Sequence, residues 1–298
     1  MGKDWKKRFV EGEIAMLEQY ILLYPITKGF SADEKYVALK GDERVLVRLF
    51  DNKFQEKKQQ EFELLRELEQ LGANVIRAIE IGDGYMVTSF IEGEDAEEVI
   101  ASLSIEEQYA VGRDASHDLR KIHLISATSN EWYDYQLAKY ERYVKRYNEL
   151  GLKVPHDTQI IRFIEQRLPL MKDRPNVLQH DDFHLSNLII SHNKYAGAID
   201  FGRFDWGDPV FDFIKLGMFS SEKSIPFAVG LIEGYYDGEP PELFWELYAM
   251  YLAMNVFAGI VWGYQPNDSD NKMLLHVTRF IDDHEGFTTS IPKWYRRS

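Results

Sequence analysis

From residue 20 onward the apolar positions of the chain come in short runs separated by turn-forming clusters. In YILLYPITKGFSADEKYVALKGDERVLVRLF three such runs are divided at 28–34 and at 41–43, which predicts three antiparallel strands. The period becomes helical over 52–71, where Phe54, Phe62, Leu65, Leu68 and Leu71 form one stripe. Residues 74–82 and 85–91 predict a hairpin across Asp83-Gly84. Helices are expected at 96–103 and at 104–124, the second opened by Ser104 and Glu107 at capping-box spacing. Residues 129–153 read as a further helix and a loop. Val177-Leu178, Leu188-Ile189-Ile190 and Ala198-Ile199 are brief apolar runs bounded by turn residues, as buried strands are, with a hairpin turn at Ser191-His192-Asn193-Lys194. The rest is predicted helical, at 209–219, 225–236, 241–264 and 271–283. Upstream, Trp5, Phe9, Ile14 and Leu17 suggest an amphipathic helix over 4–19, and the terminal Lys293-Trp294-Tyr295-Arg296-Arg297 either packs or frays.

Composition narrows the possible functions. With 298 residues, 45% of them hydrophobic and 14% aromatic, the chain can bury a substantial core as one large domain or two lobes. Its formal charge of -14 argues against general affinity for nucleic acid or anionic membranes, which both require basic surface, and favours solubility or a cationic small-molecule partner. The absence of cysteine excludes a disulfide framework, a thiol nucleophile and cysteine metal sites, and suits a cytoplasmic location. Basic residues near the start (Lys3, Lys6, Lys7, Arg8) are followed by Glu11 and Glu13 and not by an apolar segment, so no signal peptide is expected. The longest apolar run, Tyr248 to Tyr264, is broken by Asn255 and two glycines, and predicts a buried helix in preference to a membrane span.

The polar residues between the short buried strands carry the chemistry. His180, Asp182 and Asn187 follow one another at the spacing H-x-D-x-x-x-x-N, and Asp200-Phe201-Gly202 comes after the next two apolar runs. That order matches the catalytic loop and metal-binding triplet of the protein-kinase signature. Phosphoryl transfer requires such groups, with one carboxylate facing the attacking hydroxyl and an amide oxygen and second carboxylate holding the magnesium that neutralises phosphate charge. Asp182 is then the base, and Asn187 and Asp200 the metal ligands.

The wider pattern HDDFHLSN, with a second histidine at His184, followed by IDFG and by Gly207-Asp208-Pro209 and Asp212, resembles the aminoglycoside phosphotransferase and choline kinase family. The resemblance implies an α+β, two-lobed protein-kinase-like fold: a small antiparallel β N-terminal lobe with one main helix, and a larger, mainly helical C-terminal lobe. On this basis residues 1–92 form the nucleotide-binding lobe and 93–298 the catalytic and acceptor-binding lobe. It further implies ATP or GTP with Mg2+ as cofactors. Gly29 and Ser31, with the later Tyr36, resemble the family's nucleotide loop. Arg48, within the alternating run 45–50, takes the place of the lysine that pairs with the α and β phosphates, with Glu61 as its ion-pair partner and Glu63 as the fallback. Thr88 is matched to the residue guarding the nucleotide pocket, and Ser89, Phe90 and Ile91 to the base contacts. His180 is expected to support the catalytic loop through hydrogen bonds, His123 to be structural, and Asp208 and Asp212 to anchor backbone. One departure is Asp181, where the family commonly has glycine; its carboxylate is expected to be solvated, the alternative being that it adds negative potential beside the base.

The acceptor implied is a small molecule bearing a hydroxyl, foremost a cationic aminoglycoside-type antibiotic, with macrolides, choline, fructosamines, methylthioribose and homoserine as alternatives. A silent nucleotide-binding module is a rival, motivated by Arg48 and Asp181. A protein kinase is another, and the absence of an A-P-E segment after Gly202 argues against it.

Overall fold

The computed structural model describes residues 19–27, 33–129, 131–264 and 272–296. The expected helix over 4–19, except for its last residue, and the loop positions Gly29 and Ser31 lie outside them. The fold is the two-lobed α+β architecture that the resemblance implied. Its compact units comprise Met1–Gln70 with Val75–Ile91, and Leu71–Asn74 with Glu92–Ser298.

In the first unit, β1 (Ile21–Ile26), β2 (Glu34–Lys40), β3 (Glu43–Leu49), β4 (Ala78–Gly82) and β5 (Tyr85–Ser89) form an antiparallel sheet in the order β1-β2-β3-β5-β4. Gly41 opens the β2–β3 turn at a φ of 62°, the backbone state that two-residue hairpins assign to glycine. Alternation gives the sheet two faces. Tyr36, Ala38, Val45, Val47, Tyr85 and Val87 cluster in one core, and Met86 packs with Phe50 and Phe62 in another. Phe62 comes from α1 (Gln55–Gln70), which also buries Leu65 and Leu68. The ends of the expected stripe depart from the reading: Phe54 is 40% and Leu71 38% exposed. Phe54 belongs to a 3-10 turn capped by Asp51, out of phase with the α-helix, and Leu71 follows the last helical residue.

In the second unit, α2 (Ile105–Ile122) starts with the expected capping box: Glu107 N–H donates to Ser104 Oγ at 3.2 Å, and Ser104 N–H to Glu107 Oε2 at 2.9 Å. It is followed by α3 (Trp132–Glu149), α4 (Asp157–Arg167), α5 (Ile225–Tyr236), α6 (Glu242–Gly263) and α7 (Lys272–Asp283). α2 and α5 cross at glycines: a Cβ on Gly112 or Gly230 would collide with the other helix's backbone, at Phe227 O and Tyr109 O respectively. α6 is the one helix among the described residues long and apolar enough to cross a membrane, and most of its apolar window is buried in the protein. It serves as the core helix of this unit, with Phe244, Tyr248, Tyr251, Leu252 and Phe257 enclosed. The terminal segment packs: Lys293–Arg296 is a short helix with Trp294 buried.

Three features differ from the sequence reading. α4 was not assigned, although Ile160, Phe163 and Ile164 supply its buried stripe. Residues 209–219 are helical but not regularly so, running as a 3-10 segment (Pro209–Phe213) and a π-helix (Leu216–Ser220). Arg279 accounts for part of this by donating to the carbonyls of Gly217 (3.0 Å) and Met218 (2.6 Å). A short strand, β10 (Asp205–Gly207), pairs antiparallel with β7 (Val177–Gln179). The other small sheet has the order β6-β8-β9, formed by Glu94–Asp95, Leu188–Ser191 and Lys194–Ala198.

Candidate active site

β7 delivers the chain, fully buried, to His180, and the loop that follows closes on itself before β8 begins. β8 and β9 turn at His192 and Asn193, whose φ angles of 51° and 61° are those of a tight hairpin. Because Leu188 pairs with Ala198, that hairpin returns the chain beside its own start. Ile199 N–H accordingly donates to Asn187 O at 2.9 Å, and Asp200 stands one residue on. Asn187 Nδ2 donates to Asp182 O at 2.9 Å. Asp182, Asn187 and the residue preceding Asp200 are thereby joined by successive hydrogen bonds.

His180 is fully buried. Its Nε2 faces Ile199 O at 2.9 Å, and Asp182 N–H points to its Nδ1 at 3.3 Å. These partners assign the neutral Nε2–H tautomer, and burial depresses the imidazole's affinity for a second proton. A ring so committed braces the loop. Asp212 holds the loop's other side, accepting His180 N–H at 2.9 Å, Asp181 N–H at 2.7 Å and a contact from His123 Nε2 at 3.1 Å. Asp208, equally buried, accepts Val210 N–H (3.0 Å), Arg174 Nε (2.7 Å) and Tyr251 O–H (2.9 Å). Its anchoring therefore extends beyond backbone to two distant side chains.

Burial alone would raise the Asp182 carboxyl's pKa. The hydrogen bond from His184 and the ammonium of Lys215, each 3.3 Å from Oδ1, instead hold it well below the usual carboxylate range, with Arg203 adding charge from 3.9 Å. It is thus an ionised acceptor at neutral pH, suited to orienting a hydroxyl whose proton leaves late.

Asp181 corrects the expectation of a solvated side chain. Its φ of 58° is a left-handed conformation natural to glycine. The turn carries its carboxyl into a partly closed environment where burial pushes it up to about 6, against the pull of Lys215 and Lys139 and with help from Asp212 and Asp205.

The donor set fits magnesium. Since Asn187 Nδ2 is committed to Asp182 O, the amide's oxygen is the end left for a cation. Asp200 adopts a left-handed φ of 63° just after Ile199. Among the described residues no three or more His, Asp or Glu side chains cluster as a protein-only metal site. Magnesium does not need one, because it keeps waters and is usually held by one or two carboxylates together with substrate phosphates.

In the first unit Arg48 is only 2% exposed and makes ion pairs with Glu61 and, at 2.8 Å, with Asp33. Burial opposes its charge, but the two carboxylates hold the guanidinium firmly protonated. Glu63 is exposed, facing Arg66 and Gln59. Thr88 is buried on the same sheet face as Met86, and its hydroxyl has no hydrogen-bond partner among the described residues. Ser89 Oγ accepts Arg77 N–H at 2.8 Å, while Phe90 and Ile91 are half-buried.

Sequence reasoning missed a pocket of about 450 Å³ within the second unit, walled by Trp132, Tyr135 and Trp206 with Glu131, Asp205 and Asn176 at its polar positions. Asn176 Oδ1 is buried there without a hydrogen-bond partner among the described residues. Asp205 pairs with Gln179, the residue before His180, which places the pocket beside the His180–Asn187 loop. The only signal in the sequence was acid next to aromatic, at 131–135 and again at 205–206.

Comparison with curated proteins yields no match. Among solved structures, the chain is similar to APH(2'')-IIa in its gentamicin complex (20% identity, TM-score 0.65, covering 97% of this chain and 99% of that one). It is also similar to the GDP complex of aminoglycoside 2'-phosphotransferase-IIIa (13%, 0.66, 91% and 97%) and to aminoglycoside phosphotransferase APH(4)-Ia (14%, 0.67, 92% and 96%). These likenesses are of fold. Residues 23–245 match the phosphotransferase enzyme family (APH). Three quarters of the chain, including the whole His180–Asp212 segment, lies within that match, and the chain belongs to this family of protein-kinase-like phosphotransferases.

Proposed function

We propose that this phosphotransferase moves the γ-phosphoryl group of ATP or GTP to a hydroxyl of an aminoglycoside-type acceptor. The observation that supports the reading is the hydrogen-bonded series Asp182, Asn187, Ile199, which brings the backbone before Asp200 back beside the Asp182–Asn187 loop across the β8–β9 hairpin, where this reading assigns a base and two magnesium donors. Asp182 orients the acceptor hydroxyl and takes its proton as the oxygen bonds to the γ-phosphorus and the bond to the β-bridging oxygen breaks. Asn187 and Asp200 hold Mg2+, which, when bound, neutralises charge on the phosphates. Arg48, fixed by Glu61, contributes positive charge to the phosphates, and Gly29 and Ser31 a phosphate loop. Thr88 guards the base site, which Ser89, Phe90 and Ile91 line, with the Ser89 hydroxyl and N–H already engaged by the Arg77 backbone. His180 is a positioning residue. Residues 1–92 serve as the nucleotide-binding lobe and 93–298 as the catalytic and acceptor-binding lobe.

For the acceptor, the acid and aromatic walls of the pocket at Glu131, Trp132, Tyr135 and Asp205 suit an ammonium-bearing sugar, which pairs with carboxylates and lies against ring faces. The neighbours' aminoglycoside complexes point the same way. One observation favours a second reading: Lys215 and Arg203 stand beside the base, where a polycation would meet repulsion. They suit a less cationic hydroxyl compound such as methylthioribose, homoserine, a fructosamine or a macrolide. Phosphate transfer from magnesium-ATP and magnesium-GTP to kanamycin, gentamicin, erythromycin, choline and methylthioribose decides between them. Turnover of an aminoglycoside is expected; turnover only of the other compounds selects the second reading.

A further inference from the structure

The first unit holds a second buried cation beside Arg48. Lys58 lies on α1 one turn before Glu61 and is 8% exposed. Its ammonium meets Asp33 Oδ2 at 2.5 Å and Glu61 Oε2 at 3.5 Å. The same Asp33 Oδ2 accepts from Arg48 Nη2 at 2.8 Å and Nε at 3.2 Å. One carboxylate oxygen is therefore shared by a guanidinium from β3 and an ammonium from α1, while Glu61 reaches both from the helix side. Although burial opposes ionisation, the Lys58 hydrogen bond and the Arg48 charge hold the Asp33 carboxyl below its ordinary range.

A buried lysine is rare unless paired, and two cations converging on one oxygen form a seat for an anionic oxygen atom. Two positive and two negative side chains leave the cluster neutral, so its attraction for an anion depends on Asp33 giving way. Arg48 and Lys58 are fixed in a strand and a helix, whereas Asp33 sits at a bend just before β2.

We infer that Arg48 and Lys58 together form a seat for a phosphate oxygen of the nucleotide, and that Asp33 occupies this seat until magnesium-nucleotide displaces it. Lys58 supplies from the helix the compact ammonium that β3 lacks, and the planar guanidinium of Arg48 remains fastened to Glu61. Asp33 acts as a built-in competitor that sets nucleotide affinity. This rests on the nucleotide-dependent reading above and deepens it.

Calorimetric titration of the full chain with magnesium-ATP and magnesium-GTP tests it through variants with opposite signs. Lys58→Met should weaken binding about 10- to 100-fold, the scale of one charge-assisted hydrogen bond, with partial recovery in Lys58→Arg. Asp33→Asn should tighten binding about tenfold, by removing the competitor. A purely structural cluster gives no tightening in Asp33→Asn, and that result, or unchanged affinity in Lys58→Met, overturns the inference alone. A wild-type chain that binds neither nucleotide overturns the proposed function and the inference with it. Should the variants not fold, nitrogen NMR of lysine-labelled wild-type protein decides: the Lys58 ammonium signal shifts on addition of magnesium-ATP, and an unmoved signal overturns the inference.

Discussion

Asp181 combines a left-handed backbone with a desolvated carboxyl, and two substitutions separate those costs. Asp181→Asn keeps the shape and removes the charge; Asp181→Gly also relieves the backbone. The carboxyl protonates at about 6 when folded, against an ordinary 3.8. Being raised, it leaves stability intact below about pH 4, where it is protonated in both states, and removes it as pH rises through about 6. At 1.36 kcal/mol per pKa unit the difference corresponds to at most about 3 kcal/mol, and partial solvent access at this side chain reduces that to about 1.5 kcal/mol. Strain at the left-handed position adds about 1 kcal/mol in the aspartate chain, but glycine's freedom in the unfolded state returns a similar amount. Both variants should therefore melt about 3–6 °C above wild type at about pH 7.5, and within about 1 °C of it near pH 4. Thermal unfolding followed by fluorescence across that range measures both ends. A gain independent of pH, or variants less stable than wild type at neutral pH, would refute the argument that the turn buries an ionised carboxylate at a cost.

Other substitutions probe the frame around the site. Asp212→Ala strips three donors of their acceptor at once, at His180 N–H, Asp181 N–H and His123 Nε2; a loss of about 3–5 kcal/mol, read from urea unfolding, is expected. Glu61→Ala removes the carboxylate touching both Arg48 and Lys58 and should cost a similar amount, about 3–5 kcal/mol, with a lowered melting temperature as the readout. Ser104→Ala breaks the capping box of α2 and should cost only about 1 kcal/mol, seen as a shift in denaturant midpoint without a change in slope.

Much of this architecture could be read from the sequence, because strong periodicity and local chemistry reported it. The alternating runs of β2 and β3, the Asp83-Gly84 and His192-Asn193 turns and the Ser104–Glu107 cap are all fixed by neighbours a few residues apart. The hidden parts depend on partners far along the chain. β10 is a three-residue strand with no pattern of its own, defined only by β7. The irregular helix after Pro209 answers in part to Arg279, about sixty residues on. Asp181 looked like one more surface acid because nothing nearby reveals Lys215, Lys139 and Asp205 around it. Lys58 likewise reads as one lysine on a charged helix, because its partner Asp33 lies 25 residues earlier in the chain.

The most direct test of the account is phosphate transfer by Asp182→Asn beside its magnesium-nucleotide affinity. The arrangement predicts a fall in turnover of about 100- to 10,000-fold, with nucleotide binding within about twofold of wild type, because the amide keeps the loop's shape but cannot take the acceptor's proton. Turnover within about tenfold of wild type would contradict the role given to this carboxylate, and with it the reading of the whole loop.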